Sequence, residues 1–562
     1  MTWTQNYDPF GSVLISTCFA AIPVVVLLGG LGLLHMRAHM AALAGLVSAF
    51  IVAVFAFGMP GGIALRAAGY GAAYGLMPIG WIILNIIFLY QMTNEHGLFD
   101  VLRRSISGVT ADSRLQLLLI AFCFGAFFEG AAGFGAPVAV TGAMLIGLGF
   151  TRLQASGLSL IANTAPVAFG ALGTPIVTLA AVTGLPLDEL SAMCGRITFP
   201  FAMIVPAWLL VAYCGWRRTL EVWPAVLVVG VTFAVAQLLM SNLHGPWLTA
   251  IVAAMASIAA LLVLIRIWSP ARVMAVNEAP LAKGDERVPV ADSEGEADHA
   301  VVKTHEPIDP KALRRAWMPW IILTVLVFVW GIPAVKTGLD AIFRLQLPFG
   351  GLDGVILRVP PVVAEPEAEK AIFNFNPLST TGTSILMAAL LSGLLLGIRP
   401  AAIARTYVRT ITLVWPSLLT IGAMLALGYL TRFAGTDATM GLAFAMTGAF
   451  YPFFGTMLGW LGVAVTGSDT ASNVLFGGLQ KVTAQQLSLP PVLMAGANSV
   501  GGVMGKMVDA QSIVVASTAT QWVGGESRLL RYVFGHSIVL AMLVGVSILI
   551  YAYVPVFTAL IP

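Results

Sequence analysis

Glu129 is the single carboxylate in the apolar stretch FFEGAAGFGAPVAV (127–140), with Gly125, Gly130, Gly133, Gly135 and Pro137 around it. Asp469 repeats the theme in TGSDTASN (466–473), between Ser468 and Asn473. Each acid is followed by an Ala-Asn-hydroxyl triplet in the next apolar run. Asn163, followed by Thr164, comes 34 residues after Glu129, in IANTAP, and Asn498, followed by Ser499, comes 29 residues after Asp469, in GANSVGG. Lys506 is a lone cation in GGVMGKMVDA.

These types suit the handling of a proton and a small anion. A buried carboxyl favours its neutral form and can take up and release a proton; a bound anion nearby would couple to that proton. Asn, Ser and Thr donate and accept hydrogen bonds, which fits a carboxylate with a neighbouring hydroxyl. Lys506 can offer a point charge to an anion, or pair with Asp509 three residues on along the same helical face. Each residue also has a structural reading. Glu129 and Asp469 can cap free backbone N–H groups, and the Asn and hydroxyl pairs can cap broken helix ends. Arg196, in MCGRITFPF, reads first as a helix-pairing or snorkelling arginine, with anion binding in reserve.

The elements that must hold these groups are membrane helices. Of the 562 residues 58% are hydrophobic and 10% charged, far below the roughly one-quarter charged composition of a soluble domain. Apolar runs fall near 12–34, 40–58, 71–90, 115–150, 154–184, 191–214, 224–241 and 247–268, then 316–335, 380–398, 411–431, 438–480, 484–523 and 536–558. Most are long enough to span a bilayer as a helix, and they are continuous rather than alternating, which excludes a β-barrel. The N-terminal MTWTQNYDPF lacks the basic residues of a cleaved signal, so the first run is expected to be retained. Cys18, Cys123, Cys194 and Cys214 show neither metal spacing nor a disulfide pattern. His35, His39 and His536 do not cluster, and no nucleotide-binding loop or nucleic-acid signature is present.

Two of the runs, 115–150 and 438–480, are interrupted by EGAAGFGAP and TGSDTASN. Non-helical backbone survives at membrane depth only where protein buries it or it lines a cavity. Both are expected to be re-entrant hairpins or tight pairs of crossings. Placing the basic loops (Arg103, Arg104 and Arg114; Arg217 and Arg218; 311–315; Arg399, Arg405 and Arg409; Arg528 and Arg531) in the cytoplasm leaves both termini outside. Unit 115–184 then starts from the cytoplasmic side and unit 438–523 from the outer side. Two such units facing opposite ways predict an inverted-repeat secondary transporter with its site near the midplane, although small-residue packing alone also produces glycine-rich helices. The fold expected is an all-α polytopic membrane protein of about 12 crossings plus two broken hairpins. Its parts are an N-terminal half (1–268), a charged cytoplasmic linker (269–315), and a C-terminal half (316–562) with an extracytoplasmic loop at 336–378.

FFEGAAGFGAPVAV (127–140), GSDTASNVLFG (467–477) and ANSVGGVMGKMVDAQSI (497–513) resemble the L-lactate permease family, which includes glycolate permeases. In the third motif VDAQ (508–511) stands where the family pattern has ISPQ, which leaves the role of Asp509 open. The resemblance covers essentially the whole chain. It implies proton-coupled import of L-lactate, D-lactate or glycolate across a bacterial inner membrane, with protons as the coupling ion and no bound cofactor. It also implies kinship with two-hairpin transporters in which a transport domain moves against a scaffold. On this reading Glu129 and Asp469 carry the proton. Gly130, Gly133, Gly135, Asn163, Thr164, Ser468, Asn473, Asn498, Ser499 and Lys506 surround a small monocarboxylate. The expected partners are that substrate and the lipid bilayer, with no obligatory protein subunit. A sodium-coupled organic-acid carrier and an ion-translocating subunit of a membrane complex are the alternatives; an enzyme would need a clustered acid–base or metal site.

Overall fold

The computed structural model describes residues 2–32, 34, 36–107, 109–131, 133, 136–280, 309–363, 365–522 and 525–562. Gly135, His35 and the greater part of the 269–315 linker lie outside these described residues. Among them, eleven helices are long and apolar enough to cross a membrane, and shorter apolar helices lie at Pro137–Gly147, Ala171–Thr183 and Thr381–Leu395. The chain is therefore an all-α polytopic membrane protein. Helices dominate because lipid offers the backbone no hydrogen-bond partner, so each crossing must satisfy its own N–H and C=O groups.

The sheet is confined to one end of the bundle. Trp3–Thr4 pairs in parallel with Ile356–Arg358, which pairs antiparallel with Glu367–Ala368, while Leu345–Pro348 pairs with Ile372–Phe375. The 336–378 segment thus has structure of its own and holds the N-terminal residues against it. Both termini meet the segment that precedes the second hairpin: Thr439 Oγ1 donates to the Tyr7 carbonyl at 3.0 Å, and Tyr553 Oη to the Ala449 carbonyl at 2.9 Å. At the other end the loops with basic residues come together. Buried Arg114 binds Asp112, Glu221 (2.7 Å) and the carbonyls of Arg218 and Arg272.

The interrupted run 115–150 is a hairpin. Its first arm is Ser113–Ala131 and its second Ala136–Gly147. A Cβ on Gly125 would stand 3.3 Å from Thr141 Cγ2, so the arms lie side by side. Gly133, at the tip, has a φ of +58°, a backbone that glycine adopts without strain. The hairpin starts at the basic-loop end, where the Ser113 N–H donates to the Met274 carbonyl.

The second interrupted run is organised differently from the prediction for 438–480. Residues Thr436–Phe444 form a separate short helix, and the hairpin arms are Tyr451–Thr466 and Asp469–Gln486. The break is confined to Gly467 and Ser468, because Ser468 caps the second arm at once by accepting from the Ala471 N–H. Hairpin two starts at the end that holds both termini, and hairpin one at the opposite end.

Each hairpin has a broken companion. Arg152–Ala162 gives way at Asn163 to an irregular stretch that re-forms as Thr174–Thr183. Pro491–Gly505 gives way at Lys506 and resumes as Ala510–Ala519. Asn498 and Ser499 therefore lie inside a helix, not in a break as their glycine-rich context predicts. The glycines there serve contact: a Cβ on Gly501 would stand 2.3 Å from the Thr456 carbonyl oxygen, and on Gly505 2.4 Å from that of Trp460. One further break, at Met77 (φ −137°, ψ 113°) before Pro78, divides Gly61–Glu95 and was not expected from the 71–90 run.

Candidate functional site

Hairpin two supplies the best-connected polar groups. Asp469 is the first residue of its second arm and is 4% exposed. Its Oδ2 accepts from Ser499 Oγ at 2.5 Å and from Asn473 Nδ2 at 3.4 Å. Asn473 also donates to the Pro175 carbonyl at 3.2 Å, reaching across to the first unit, and accepts from Asn498 Nδ2 at 2.9 Å. Asn498 Oδ1 accepts from Gln480 Nε2 at 3.2 Å, and Gln480 Oε1 from Tyr451 Oη at 2.7 Å. Six side chains thus form one buried chain, in which Asp469 Oδ1 has no hydrogen-bond partner among the described residues. Gln480 and Tyr451 were missed in the sequence; a glutamine within the apolar part of the arm, in NVLFGGLQ, was the available signal.

Hairpin one is connected in a different way. Glu129 lies in the last turn before the tip and is 5% exposed. Its Oε2 has no hydrogen-bond partner among the described residues, and neither amide atom of buried Asn163 has one. Asn163 faces Glu129 without completing a hydrogen bond to it, and Lys506 is near enough to act on the charge of both Glu129 and Asp469. Thr178, on the helix that follows Asn163, also has a buried hydroxyl without a partner among the described residues. A buried unpaired amide costs roughly 1–3 kcal/mol, so such groups need an explanation.

Lys506 ends the helix Pro491–Gly505 as its C-cap. Its Nζ donates to the Gly467 carbonyl, at the tip of hairpin two, at 2.5 Å and pairs with Asp509 Oδ2 at 3.4 Å. Asp509 Oδ1 in turn caps the helix Ala510–Ala519 through the Ser512 N–H at 2.7 Å. The pair with Asp509 is real, yet it does not use up the lysine, whose charge also acts on two further acids. One ammonium pairs with Asp509 and lies within electrostatic reach of two further carboxyl groups, Glu129 and Asp469. Full ionisation of all three would leave an excess of negative charge in a low-dielectric interior, which carries a large cost.

The other residues named from the sequence divide by contact. Thr164 Oγ1 bonds back to the Ile161 carbonyl, and Ser468 acts as a helix cap. A Cβ on Gly130 would stand 2.7 Å from Ile251 Cγ1, so this glycine serves helix packing. Arg196 binds Asn242 Oδ1 at 3.0 Å and the Leu560 carbonyl, joining two helices to the turn at 559–560. His536 pairs with Trp208 Nε1 at 3.0 Å.

Two helices start at this region. Thr174–Thr183 and Asp469–Gln486 run in the same direction, with Asn473 against Pro175 near their starts and Lys481 against Thr183 further along. Helix N-termini favour anions through their free N–H groups and their dipoles. The arrangement can therefore exchange protons at a carboxyl and receive an anion beside it.

Comparison with known proteins places the chain in a family. The sequence model of the L-lactate permease family matches residues 16–555. The glycolate permease GlcA of Escherichia coli is 43% identical, with 99% of each chain covered. The L-lactate permease of Bacillus subtilis is 42% identical (97% of each chain), and that of Salmonella typhimurium 41% (98% of each). Among solved structures, the antimetabolite efflux pump MtrF of Neisseria gonorrhoeae shares the fold at 10% identity, with a TM-score of 0.52 over 94% of this chain and 97% of that one.

Proposed function

Because the chain belongs to the L-lactate permease family, we propose that it is a secondary transporter that carries L-lactate, D-lactate and glycolate together with protons. The membrane is a bacterial inner membrane, with both termini and the 336–378 segment on the outer side. The two units that start from opposite ends of the bundle are read as an inverted repeat around the site. The observation that carries the proposal is the unpartnered set formed by Glu129 Oε2 and the Asn163 amide, beside Lys506.

The mechanism follows from charge. With its carboxyls ionised, the site repels a monoanion. Protonation of Glu129 removes a negative charge, frees the field of Lys506 and of the two helix starts, and turns the carboxyl into a donor. A 2-hydroxycarboxylate then finds Lys506 for its carboxylate and the Asn163 amide for its hydroxyl. Asp469, expected from the sequence to share the proton, is held by Ser499 and Asn473 and acts on this coupling through the wall of the site, while Glu129 carries the proton. Proton and anion each favour the binding of the other, as linkage requires.

One proton per monoanion makes the cycle electroneutral. Labelled L-lactate should accumulate in sodium-free proteoliposomes under an inward proton gradient, and a protonophore should collapse it. Unlabelled glycolate and D-lactate should compete, and succinate should not. Uptake driven by membrane potential at constant pH would overturn the stoichiometry. A strict need for sodium at fixed pH would select the sodium-coupled alternative.

A further inference from the structure

A second charged cluster, which this mechanism does not use, lies at the end of the bundle that holds both termini. Glu369 is 7% exposed and accepts from Arg432 Nη2 at 3.1 Å, with Arg358 Nε 3.5 Å from its other oxygen. Arg432 Nη1 also donates to the Val182 carbonyl at 3.3 Å, and Lys481 Nζ to the Thr183 carbonyl at 2.7 Å. These carbonyls end the helix Thr174–Thr183, where cations are favoured. Asp437 completes the group: its Oδ1 accepts from the Ala438 N–H at 2.7 Å, and its Oδ2 lies against Gly478. Together with Gln5 these side chains line a cavity of about 20 Å³, room for about one water.

The charges inside the cluster do not cancel. Arg358, Arg432 and Lys481 face Glu369 and Asp437, which leaves one positive charge in excess. Glu367, across the strands from Arg358, is exposed at the rim. Two guanidiniums on a single carboxylate are the chemistry that a free monocarboxylate seeks. The cluster is also joined to the central site. Lys481 lies on the arm that begins at Asp469, about 18 Å further along the helix axis. Thr174–Thr183 runs beside that arm over the same interval.

We propose that this cluster is an entrance site for the transported monocarboxylate, and that Glu369 fills it in the closed form and gives way to the arriving anion. The proposal rests on the reading of the chain as a monocarboxylate carrier. Its recognition chemistry is one carboxylate held by Arg358 and Arg432, with Lys481 behind them.

The test uses the full chain in proteoliposomes of known orientation, with labelled L-lactate supplied from either end. Glu369→Gln removes the competing carboxylate, so KM at the 336–378 end should fall about threefold or more, with KM at the opposite end unchanged. Arg358→Gln, a change on a surface strand, should raise KM about threefold or more at that end only. A Glu369→Gln protein with unchanged KM, or with KM moved equally at both ends, would reduce the cluster to a latch and overturn the proposal. If Glu369→Gln fails to reconstitute, Arg358→Gln decides by the same asymmetry. Wild-type vesicles that take up no monocarboxylate would overturn the transport reading itself, a result separable from loss of asymmetry in active vesicles.

Discussion

The two units contain the same kinds of groups and use them in opposite ways. In the second unit Asp469, Ser499, Asn473, Asn498, Gln480 and Tyr451 are linked in a continuous chain that leaves one of its buried side-chain atoms, Asp469 Oδ1, without a partner among the described residues. In the first, Glu129 Oε2 and both amide atoms of Asn163 have no partner among the described residues. A satisfied buried network rigidifies its surroundings. An unsatisfied one is costly until something fills it. The second unit therefore reads as the prepared wall of the site, and the first as the side whose polar atoms wait for proton and substrate. Lys506 belongs to the second unit and acts on Glu129 of the first, which ties the two halves together.

The largest effect is expected at that tie. Lys506→Met should lower kcat/KM for lactate uptake about 100-fold, some 2.7 kcal/mol. If the lysine served only to neutralise Asp509, the double change Lys506→Met with Asp509→Leu would restore uptake; the expected outcome is that stability recovers and uptake does not.

Next comes the contrast between the two asparagines. Asn163→Leu should raise KM about tenfold while leaving thermal stability in detergent unchanged or higher, since it removes amide atoms that had no partner. Asn498→Leu should do the reverse: a loss of about 1–2 kcal/mol in stability from the orphaned Asn473 Oδ1, with KM little changed. Equal effects at the two positions would erase the distinction between a waiting side and a prepared wall. The smallest change is expected for Gly130→Ala, whose Cβ meets Ile251: a stability loss of about 1 kcal/mol and an unaltered KM.

Much of this was legible in the sequence, for physical reasons. Scarce charge and long apolar runs dictate membrane helices. An acid among glycines in such a run marks a hairpin tip, and Glu129, Asp469, Asn163, Asn498, Ser499 and Lys506 do converge on one region. What sequence left ambiguous is the purpose of each glycine. Glycine permits both unwinding and close approach, so GANSVGG reads as a break, yet it is helix pressed against Thr456 and Trp460. The true break, at Lys506–Asp509, holds no proline or glycine of its own, and Gly505 just before it is still helix pressed against Trp460. Ser468 is likewise a cap before it is anything else. The cluster of Arg358, Glu369, Arg432, Asp437 and Lys481 was invisible because its members come from a surface strand pair, a long helix, a short one and a hairpin arm. Only the fold brings them together.

The most direct test sets the two acids against each other. Glu129→Gln and Asp469→Asn would be reconstituted side by side, and each assayed for proton-driven accumulation and for lactate counterflow without a gradient. Glu129→Gln is expected to abolish accumulation while retaining counterflow, because the amide can still donate to substrate but carries no proton across. Asp469→Asn is expected to weaken both together, since it disturbs the wall that both modes share. Full proton-driven accumulation in Glu129→Gln, with coupling lost only in Asp469→Asn, would contradict the assignment of the first unit as the working side.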